Sequence, residues 1–316
     1  MAEIEQQESG RPAATRAGVA GAGLSSVERT AARSYLRQSW DRFKRNRISV
    51  VALFVTVFIL LFSFGAPVVS AVVTGKGYQE QSLLNQLQPP FSEGYILGAD
   101  NLGRDVLTRL AYGGRVSMTV ALLAMVGALA IGGTLGSIAG YYGRWVDSLI
   151  MRFVDIWLSI PAIFLLIFIG SMFSLSPIGL ALVLGVVAWA GLARLIRGEV
   201  LSLRQRDYVE SARVVGASDS RVIWRHIFPN ITPLVIVWAT LFVPVLIIAE
   251  AALSFLGYGV QTPIPSWGNM LQEAQRFFTH QWTLAFIPGA MIYITVLAIN
   301  LLGNGLRDAL DPRLAE

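Results

Sequence analysis

Six apolar stretches constrain this chain more than any other feature of its sequence. Each is close in length to the roughly 20 residues that an α-helix needs to cross the hydrocarbon layer of a bilayer. The stretches are residues 48–73, 116–141, 149–173, 178–196, 231–255 and 284–302. Only 14% of all residues are charged, against roughly 25% in soluble domains. The sequence therefore predicts an all-α membrane protein with six transmembrane helices.

The distribution of basic residues predicts the orientation of these helices. Of the 25 lysines and arginines, five fall on one side of the predicted membrane, and the others lie on the opposite side or close to it. The five are Lys76, Arg104, Arg109, Arg115 and Arg276. Because basic residues are enriched in cytoplasmic segments, we expect both termini and the 199–230 loop in the cytoplasm. Because the arginines flank apolar segments, we expect the positive net charge to contact membrane lipid and not nucleic acid.

The membrane helices divide the rest of the chain. Residues 1–30 lack an apolar run and predict a disordered cytoplasmic tail. Residues 31–47 predict an amphipathic helix at the lipid interface, with Trp40 and Phe43 on its apolar face, although an ordinary solvated segment is the alternative. An extracytoplasmic loop (74–114), a transmembrane domain (115–304) and a cytoplasmic C-terminus (305–316) follow.

Small residues recur every fourth position along the second predicted helix. They are Ala124, Ala128, Gly132, Gly136 and Gly140. Such a strip lets another helix approach closely in lipid, and the sequence leaves open whether that helix belongs to this chain or to a partner. Prolines inside the third, fifth and sixth helices predict kinks there, namely Pro161, Pro244 and Pro288.

Charged residues within the predicted helices are few. Arg152 and Asp155 are three residues apart and are expected to neutralise each other. Glu250 lies about 28 Å beyond the cytoplasmic start of the fifth helix, near the outer boundary of the membrane. We interpret Glu250 as an exposed interfacial carboxylate, with contact to substrate or a partner as the alternative.

The cytoplasmic segment 208–230 has the pattern of two short helices joined by a turn at Gly216. Ser218 is a plausible N-cap of the second helix, and Asp219 suits its first turn. The residues Val222, Ile223, His226 and Ile227 share one face, while Arg221 and Arg225 lie on another. Pro229 is expected to close the unit before the next membrane helix. A capped amphipathic unit of this kind indicates a docking site for a soluble partner.

This segment resembles a known signature. The spacing of Glu210, Ala212, Gly216 and Pro229 is similar to that of the cytoplasmic motif of binding-protein-dependent ABC permeases, although Ser211 replaces an alanine. Three further stretches resemble the C-type permeases of dipeptide and oligopeptide importers. They are LGADNLGRD (97–105), SFLGYGV (254–260) with PSWG (265–268), and NLLGNGLRDALDP (300–312).

The resemblance implies the permease fold of type I ABC importers and a set of partners. These are a homologous B-type permease, two ATPase subunits that bind ATP and Mg²⁺, and an extracytoplasmic substrate-binding protein. It implies peptides as substrates, with nickel chelates or glutathione as alternatives. It also implies that the cytoplasmic segment couples to the ATPases. The implied coupling residues are Glu210, Ala212, Arg213, Gly216, Ser218, His226 and Pro229.

The segment before the second helix carries the remaining candidate residues. Arg104 is expected to pair with Asp100 or Asp105 and to tie down a loop at the outer mouth. We expect a structural or gating role for these three residues and for Glu250, and direct contact with substrate is the alternative.

Other functional classes fit the sequence less well. The chain has no cysteine and two histidines, which leaves few candidates for a nucleophile or a metal site, and we expect no cofactor of its own. It has no Gly-x4-Gly-Lys-Ser/Thr loop to cradle nucleotide phosphates, so we expect the ATPase on another chain and no enzymatic activity here. A secondary transporter usually carries ionisable residues at mid-membrane, and the predicted helices offer no convincing candidate at that depth. A membrane scaffold is the other alternative, but it would not need the coupling motif.

Overall fold

A computed structural model describes residues 37–92 and 94–310. Residues 1–36, with the predicted tail and the start of the predicted interfacial helix, lie outside the described residues, as does the end of the C-terminus. Residues 37–45 are helical (α1). The helices that follow are α2 (Arg47–Phe64), α3 (Ala66–Val68), α4 (Val106–Tyr142), α5 (Arg144–Ser159), α6 (Ala162–Met172), α7 (Pro177–Leu203), α8 (Asp207–Val214), α9 (Asp219–Arg221), α10 (Phe228–Phe255), α11 (Trp267–Ala274) and α12 (Thr283–Leu310).

The membrane-spanning elements agree with the predicted all-α fold. Five helices in the described part of the chain are long and apolar enough to cross a bilayer: α2, α4, α7, α10 and α12. The α5–α6 pair makes a sixth crossing if it counts as one span, and its two halves meet at an angle of 75°. Pro161 stands at this break, as predicted. Pro244 and Pro288, in contrast, lie inside helices that continue past them.

Helices α4 and α7 form the most extensive contact, and the strip of small residues lies between them. A methyl group added to Gly136 would stand 2.5 Å from the carbonyl oxygen of Ala193, and one added to Gly132 would stand 2.5 Å from that of Trp189. The two backbones therefore touch directly. The neighbour that the sequence left open belongs to this chain.

Several boundaries differ from the predicted ones. The second span begins at Val106 and not at residue 116, so the extracytoplasmic loop ends at Asp105. Asp105 caps α4 by accepting a hydrogen bond from the backbone N–H of Thr108 (2.7 Å). The hydropathy pattern assigned this stretch to the loop because it contains polar side chains. The structure buries two of them, Thr108 and Arg109, against other parts of the protein. At the other end, α12 continues to Leu310 and is not interrupted at residue 304.

The ends of the described chain lie together. Asn46 lies between α1 and α2, and its side chain caps α2 by accepting hydrogen bonds from the N–H groups of Ile48 and Ser49. Phe43 is buried, and its ring stands 3.4 Å from where a methyl group on Gly305 of α12 would lie. Trp40 is exposed and stacks on Phe43 with 5.6 Å between the ring centroids, so the two aromatic rings lie on one side of α1. Contact of this side with lipid stays a prediction.

The expected Arg152–Asp155 pair is not what the structure shows. Asp155 binds Arg194 of α7 instead, with 2.6 Å between Oδ1 and Nη2. A second pair joins the same two helices, since Arg197 Nε donates to Asp147 Oδ1 at 2.8 Å. The prediction considered only neighbours on one helix, and it missed a partner 39 residues away in sequence.

Candidate functional sites: a cytoplasmic loop and an outer ion-pair cluster

The loop between α7 and α10, which the sequence predicts to be cytoplasmic, adopts the predicted two-helix form. Helix α8 ends in a turn at Gly216, whose φ of 88° lies in the left-handed region that favours glycine. The second arm, α9, continues through a π-helical turn (Val222–Ile227) directly into α10. Pro229 therefore does not close the unit, because the helix continues past it to Phe255.

The loop packs on the membrane domain through its apolar face, as its pattern predicted. Val222, Ile223 and Ile227 are buried together with Val209 of α8, and His226 is half-buried beside them. Their cluster includes Val200 of α7 and Ile231 of α10, which joins the loop to two spanning helices. Ser218 stands at the N-cap of α9, but its side chain makes no capping hydrogen bond.

Tyr141, at the C-terminal end of α4, is the centre of a polar connection to this loop. Its hydroxyl donates to Oδ1 of Asp219 at 2.7 Å. The guanidinium of Arg213 lies over its ring, 4.8 Å from the centroid, a distance within cation–π range. Arg204 donates to the Tyr141 carbonyl oxygen at 3.2 Å. Sequence reasoning missed Tyr141 because it is 78 residues away from Asp219.

The opposite side of the loop is exposed. Glu210 and Arg213 face outwards beside each other on α8, and Ala212 is half-buried. At the tip, Val214 and Val215 are 82% and 88% exposed. Two adjacent apolar side chains this exposed next to a charged pair are typical of a protein-binding surface. The tip valines were not singled out from the sequence, although the motif contains them.

A cluster of four charged side chains lies at the other end of the molecule. Arg104 Nε is 2.6 Å from Asp100 Oδ2, and Arg104 Nη2 is 2.6 Å from Glu273 Oε2. Arg109 of α4 contacts the same two carboxylates at 3.4 and 3.2 Å. Both arginines are almost completely buried, whereas Glu273 of α11 is 20% exposed. The cluster contains two positive and two negative groups, so each buried charge has a partner.

The predicted pairing of Arg104 with Asp100 is therefore confirmed, while the alternative with Asp105 is not observed. Asp105 acts as the cap of α4. Glu273 was missed because it lies 169 residues from Arg104. Together these contacts connect the loop before α4 to α11, a short helix between α10 and α12.

Glu250 was interpreted as an exposed interfacial carboxylate, and this is wrong. Its side chain is completely buried. Ser254 Oγ donates to Glu250 Oε1 at 2.8 Å, and hydroxyls of Ser117 and Ser266 also face the carboxyl group. The expectation used only depth along α10, whereas α4 and the segment leading into α11 cover this face.

Helix α11 is positioned by the motif that contains Ser266. Ser266 and Asn269 form a capping box at its start. The Trp267 ring is completely buried, and its Nε1 donates to the Leu110 carbonyl oxygen of α4 at 3.0 Å. Within residues 37–92 and 94–310, no group of three His, Cys, Asp or Glu side chains is arranged to hold a metal ion.

Comparisons with known proteins agree with this architecture. The family described as "Binding-protein-dependent transport system inner membrane component" matches residues 132–316, and the "N-terminal TM domain of oligopeptide transport permease C" matches residues 34–90. The chain is 40% identical to a dipeptide transport system permease protein of Alkalihalophilus pseudofirmus, over 88% of this chain and 90% of that protein. It is 38% identical to an oligopeptide transport system permease protein of Haemophilus influenzae, over 89% of each.

Two further comparisons concern substrate class and fold. A glutathione transport system permease protein of Pectobacterium atrosepticum is 37% identical, over 88% of this chain and 91% of that protein. Among solved structures, inward-facing conformations of the MetNI methionine ABC transporter match with a TM-score of 0.53 and 19% identity, over 64% of this chain and 96% of that chain. At this identity the structural match supports the fold alone.

Proposed function

Because the chain belongs to the family of binding-protein-dependent transport system inner membrane components, we infer that it forms half of the translocation path of an ATP-driven peptide importer in the bacterial inner membrane. The observation that carries this inference is the similarity to dipeptide and oligopeptide permeases across nearly the whole length of both chains. A glutathione importer is the second candidate, supported by the 37% identity to such a permease. The substrates of both candidate importers are peptides or peptide-like molecules with free charged groups.

The cytoplasmic loop is the proposed contact with an ATPase subunit. Glu210, Arg213 and Gly216 lie on its exposed side, and Val214 and Val215 offer apolar area at the tip. Ala212, Ser218, His226 and Pro229 serve this contact indirectly, since they shape the loop or lie near its inner face. In this arrangement an ATPase groove would close over the turn at Gly216.

Movement of the loop would reach the membrane domain through rigid connections. Tyr141 joins the loop to α4, and α4 packs backbone to backbone on α7. At the outer end, α4 carries Arg109 and thereby connects to Glu273 of α11. ATP-bound partner subunits would favour one conformation of the membrane domain only to the extent that they bind that conformation better than the other.

The assembly that we propose contains this chain, a homologous B-type permease, two ATPase subunits and an extracytoplasmic binding protein. ATP and Mg²⁺ would bind to the ATPase subunits. Both termini and the 199–230 loop would lie in the cytoplasm, consistent with the charge bias of the loops. Asp100, Arg104, Asp105 and Glu250 would hold the outer mouth together without touching the substrate.

The test is purification of the tagged chain from its native membrane in mild detergent, followed by identification of co-purifying proteins and reconstitution in vesicles. We expect two ATPase subunits, a second permease, and ATP-dependent uptake of a dipeptide in the presence of the binding protein. Uptake of glutathione but not of dipeptides would favour the second candidate. As a control, the membranes are cross-linked before detergent is added. Isolation of the chain alone from cross-linked membranes would overturn the proposal.

A further inference from the structure

The Asp155–Arg194 ion pair lies on an open surface of spanning elements. Its two side chains are 57% and 53% exposed, although they belong to α5 and α7 and not to a loop. The neighbouring Arg152 on α5 is exposed too. The other pair between these helices, Asp147 with Arg197, is much less exposed.

Arg194 lies in the half of α7 nearer to its C-terminal end. With a rise of about 1.5 Å per residue, Arg194 is roughly 26 Å from Pro177 and roughly 14 Å from Leu203. If this helix of about 40 Å is centred on a hydrocarbon layer of about 30 Å, the guanidinium lies about 10 Å inside the edge of that layer. Charged groups at this depth face a water-filled cavity or another protein, because hydrocarbon does not solvate them.

The surface beside the pair is open. Gly191 and Gly198 flank Arg194 on the same face of α7, and a methyl group added to either would meet no atom within 4 Å. The opposite face of α7 is filled by Leu192 and Ile196, which are completely buried. Two glycines around an arginine leave room for a molecule to approach the charged groups. Small residues on a spanning helix also allow another helix to pack closely, so access of water to these positions is the property that has to be tested.

We propose that Asp155 and Arg194 line the inner part of the water-filled transport cavity and contact the charged termini of the passing peptide. This inference rests on the proposed peptide-importer function. A peptide carries an ammonium group and a carboxylate, and the pair offers the complementary carboxylate and guanidinium. Since an exposed ion pair is stabilised only weakly, the peptide termini can replace each partner at little cost and leave as easily.

The absence of cysteine from the sequence allows a direct test of water access. Gly191→Cys and Gly198→Cys are introduced singly into the full importer, in inside-out vesicles treated with a charged, membrane-impermeant methanethiosulfonate. Phe58→Cys is the control, because Phe58 is 68% exposed on the apolar face of α2, about 16 Å from Arg47. We expect both glycine variants to react at least about tenfold faster than the control, because the reagent modifies thiolates in water.

The same vesicles distinguish a transport cavity from other locations. Saturating dialanine and binding protein enclosed in the vesicle lumen, which faces the outer side of the importer, are expected to slow the reaction at both glycine positions when ATP is added outside. Reaction as slow as in Phe58→Cys, or fast reaction that neither peptide nor ATP alters, would overturn the inference. The first outcome indicates burial against a partner or lipid, and the second indicates the headgroup layer. Peptide uptake by the parental importer is measured first, so that failure of the proposed function itself is recognised separately.

Charge variants test the contact with peptide termini. Asp155→Asn and Arg194→Gln are each expected to reduce uptake of dialanine about fivefold at equal abundance of the complex. The double variant Asp155→Arg with Arg194→Asp keeps a pair but reverses it. We expect this variant to remain impaired, because it exchanges the positions of the two charges that the peptide termini would contact. Full recovery of uptake in the reversed pair would show a merely structural role and overturn the inference.

Discussion

The Tyr141 hydroxyl donates a hydrogen bond to Asp219 across 2.7 Å, and this bond joins the end of α4 to the first residue of α9. The two residues belong to a spanning helix and to the loop that we propose as the ATPase contact. Arg213 covers the same ring. One aromatic side chain thus holds both arms of the loop, since Arg213 lies on α8 and Asp219 on α9.

Removal of this hydroxyl is expected to weaken coupling. Tyr141→Phe keeps the ring beneath Arg213 and deletes a bond to a carboxylate, worth about 1 kcal/mol at a partly exposed site. We expect fewer peptides transported per ATP hydrolysed, measured in reconstituted vesicles. Tyr142→Phe, which alters the adjacent exposed tyrosine, is the matched control. An unchanged ratio in Tyr141→Phe would show that the bond carries no coupling.

The turn at Gly216 makes a separate prediction. Its φ of 88° disfavours most side chains by about 1–2 kcal/mol, yet a methyl group there would meet no neighbouring atom. Gly216→Val should therefore distort the loop and uncouple transport, whereas Gly216→Asn should remain near wild type, because asparagine tolerates left-handed backbone. Uptake and membrane abundance are measured for both. Equal loss in the two variants would indicate a steric requirement of the partner instead.

Glu210 tests the electrostatics of the proposed contact. Glu210→Arg reverses a charge on the exposed side of α8, so it should change stability by less than about 0.5 kcal/mol. We expect loss of ATP-driven uptake and reduced co-purification of the ATPases, with normal insertion in the membrane. Ser148→Arg adds positive charge at another exposed cytoplasmic-side position and serves as control. Wild-type uptake by Glu210→Arg at normal abundance would refute the docking role.

The outer cluster predicts a stability effect. Glu273→Ala leaves Arg104 and Arg109 buried with one carboxylate between them, and unpairing buried charges costs about 3–5 kcal/mol. We expect a lower midpoint of heat-induced aggregation in detergent. Gln275→Ala, an exposed neighbour, should leave the midpoint unchanged. If Glu273→Ala melts like the parent protein, the cluster does not hold α11.

Helix packing can be tested with two glycines of α4 that lie three residues apart. Gly136→Ala would place a methyl group 2.5 Å from the Ala193 carbonyl oxygen, whereas Gly133→Ala would meet its nearest atom at 3.8 Å. Overpacking of this kind costs about 1–3 kcal/mol. We therefore expect a reduced melting midpoint for Gly136→Ala and little change for Gly133→Ala. Identical midpoints would show that the two helices separate without cost.

The sequence by itself determined the spanning helices, the two-arm loop and the break at Pro161. Each of these follows from local information: the length of an apolar run, the spacing of faces on a helix, or the backbone limits of glycine and proline. The spacing of small residues also predicted a close helix contact, although it did not identify α7 as the neighbour. The motif resemblance identified the same family that the comparisons show.

Only the tertiary structure decided which distant residues meet. Glu273 contacts Arg104 and Arg109. Asp155 binds Arg194 instead of Arg152. Glu250 is buried because other elements pack over its helix. The early start of α4 has the same cause, because its polar first turns are stabilised by partners elsewhere in the chain. Hydropathy and periodicity describe one segment at a time, whereas burial and ion pairing depend on which segments pack together.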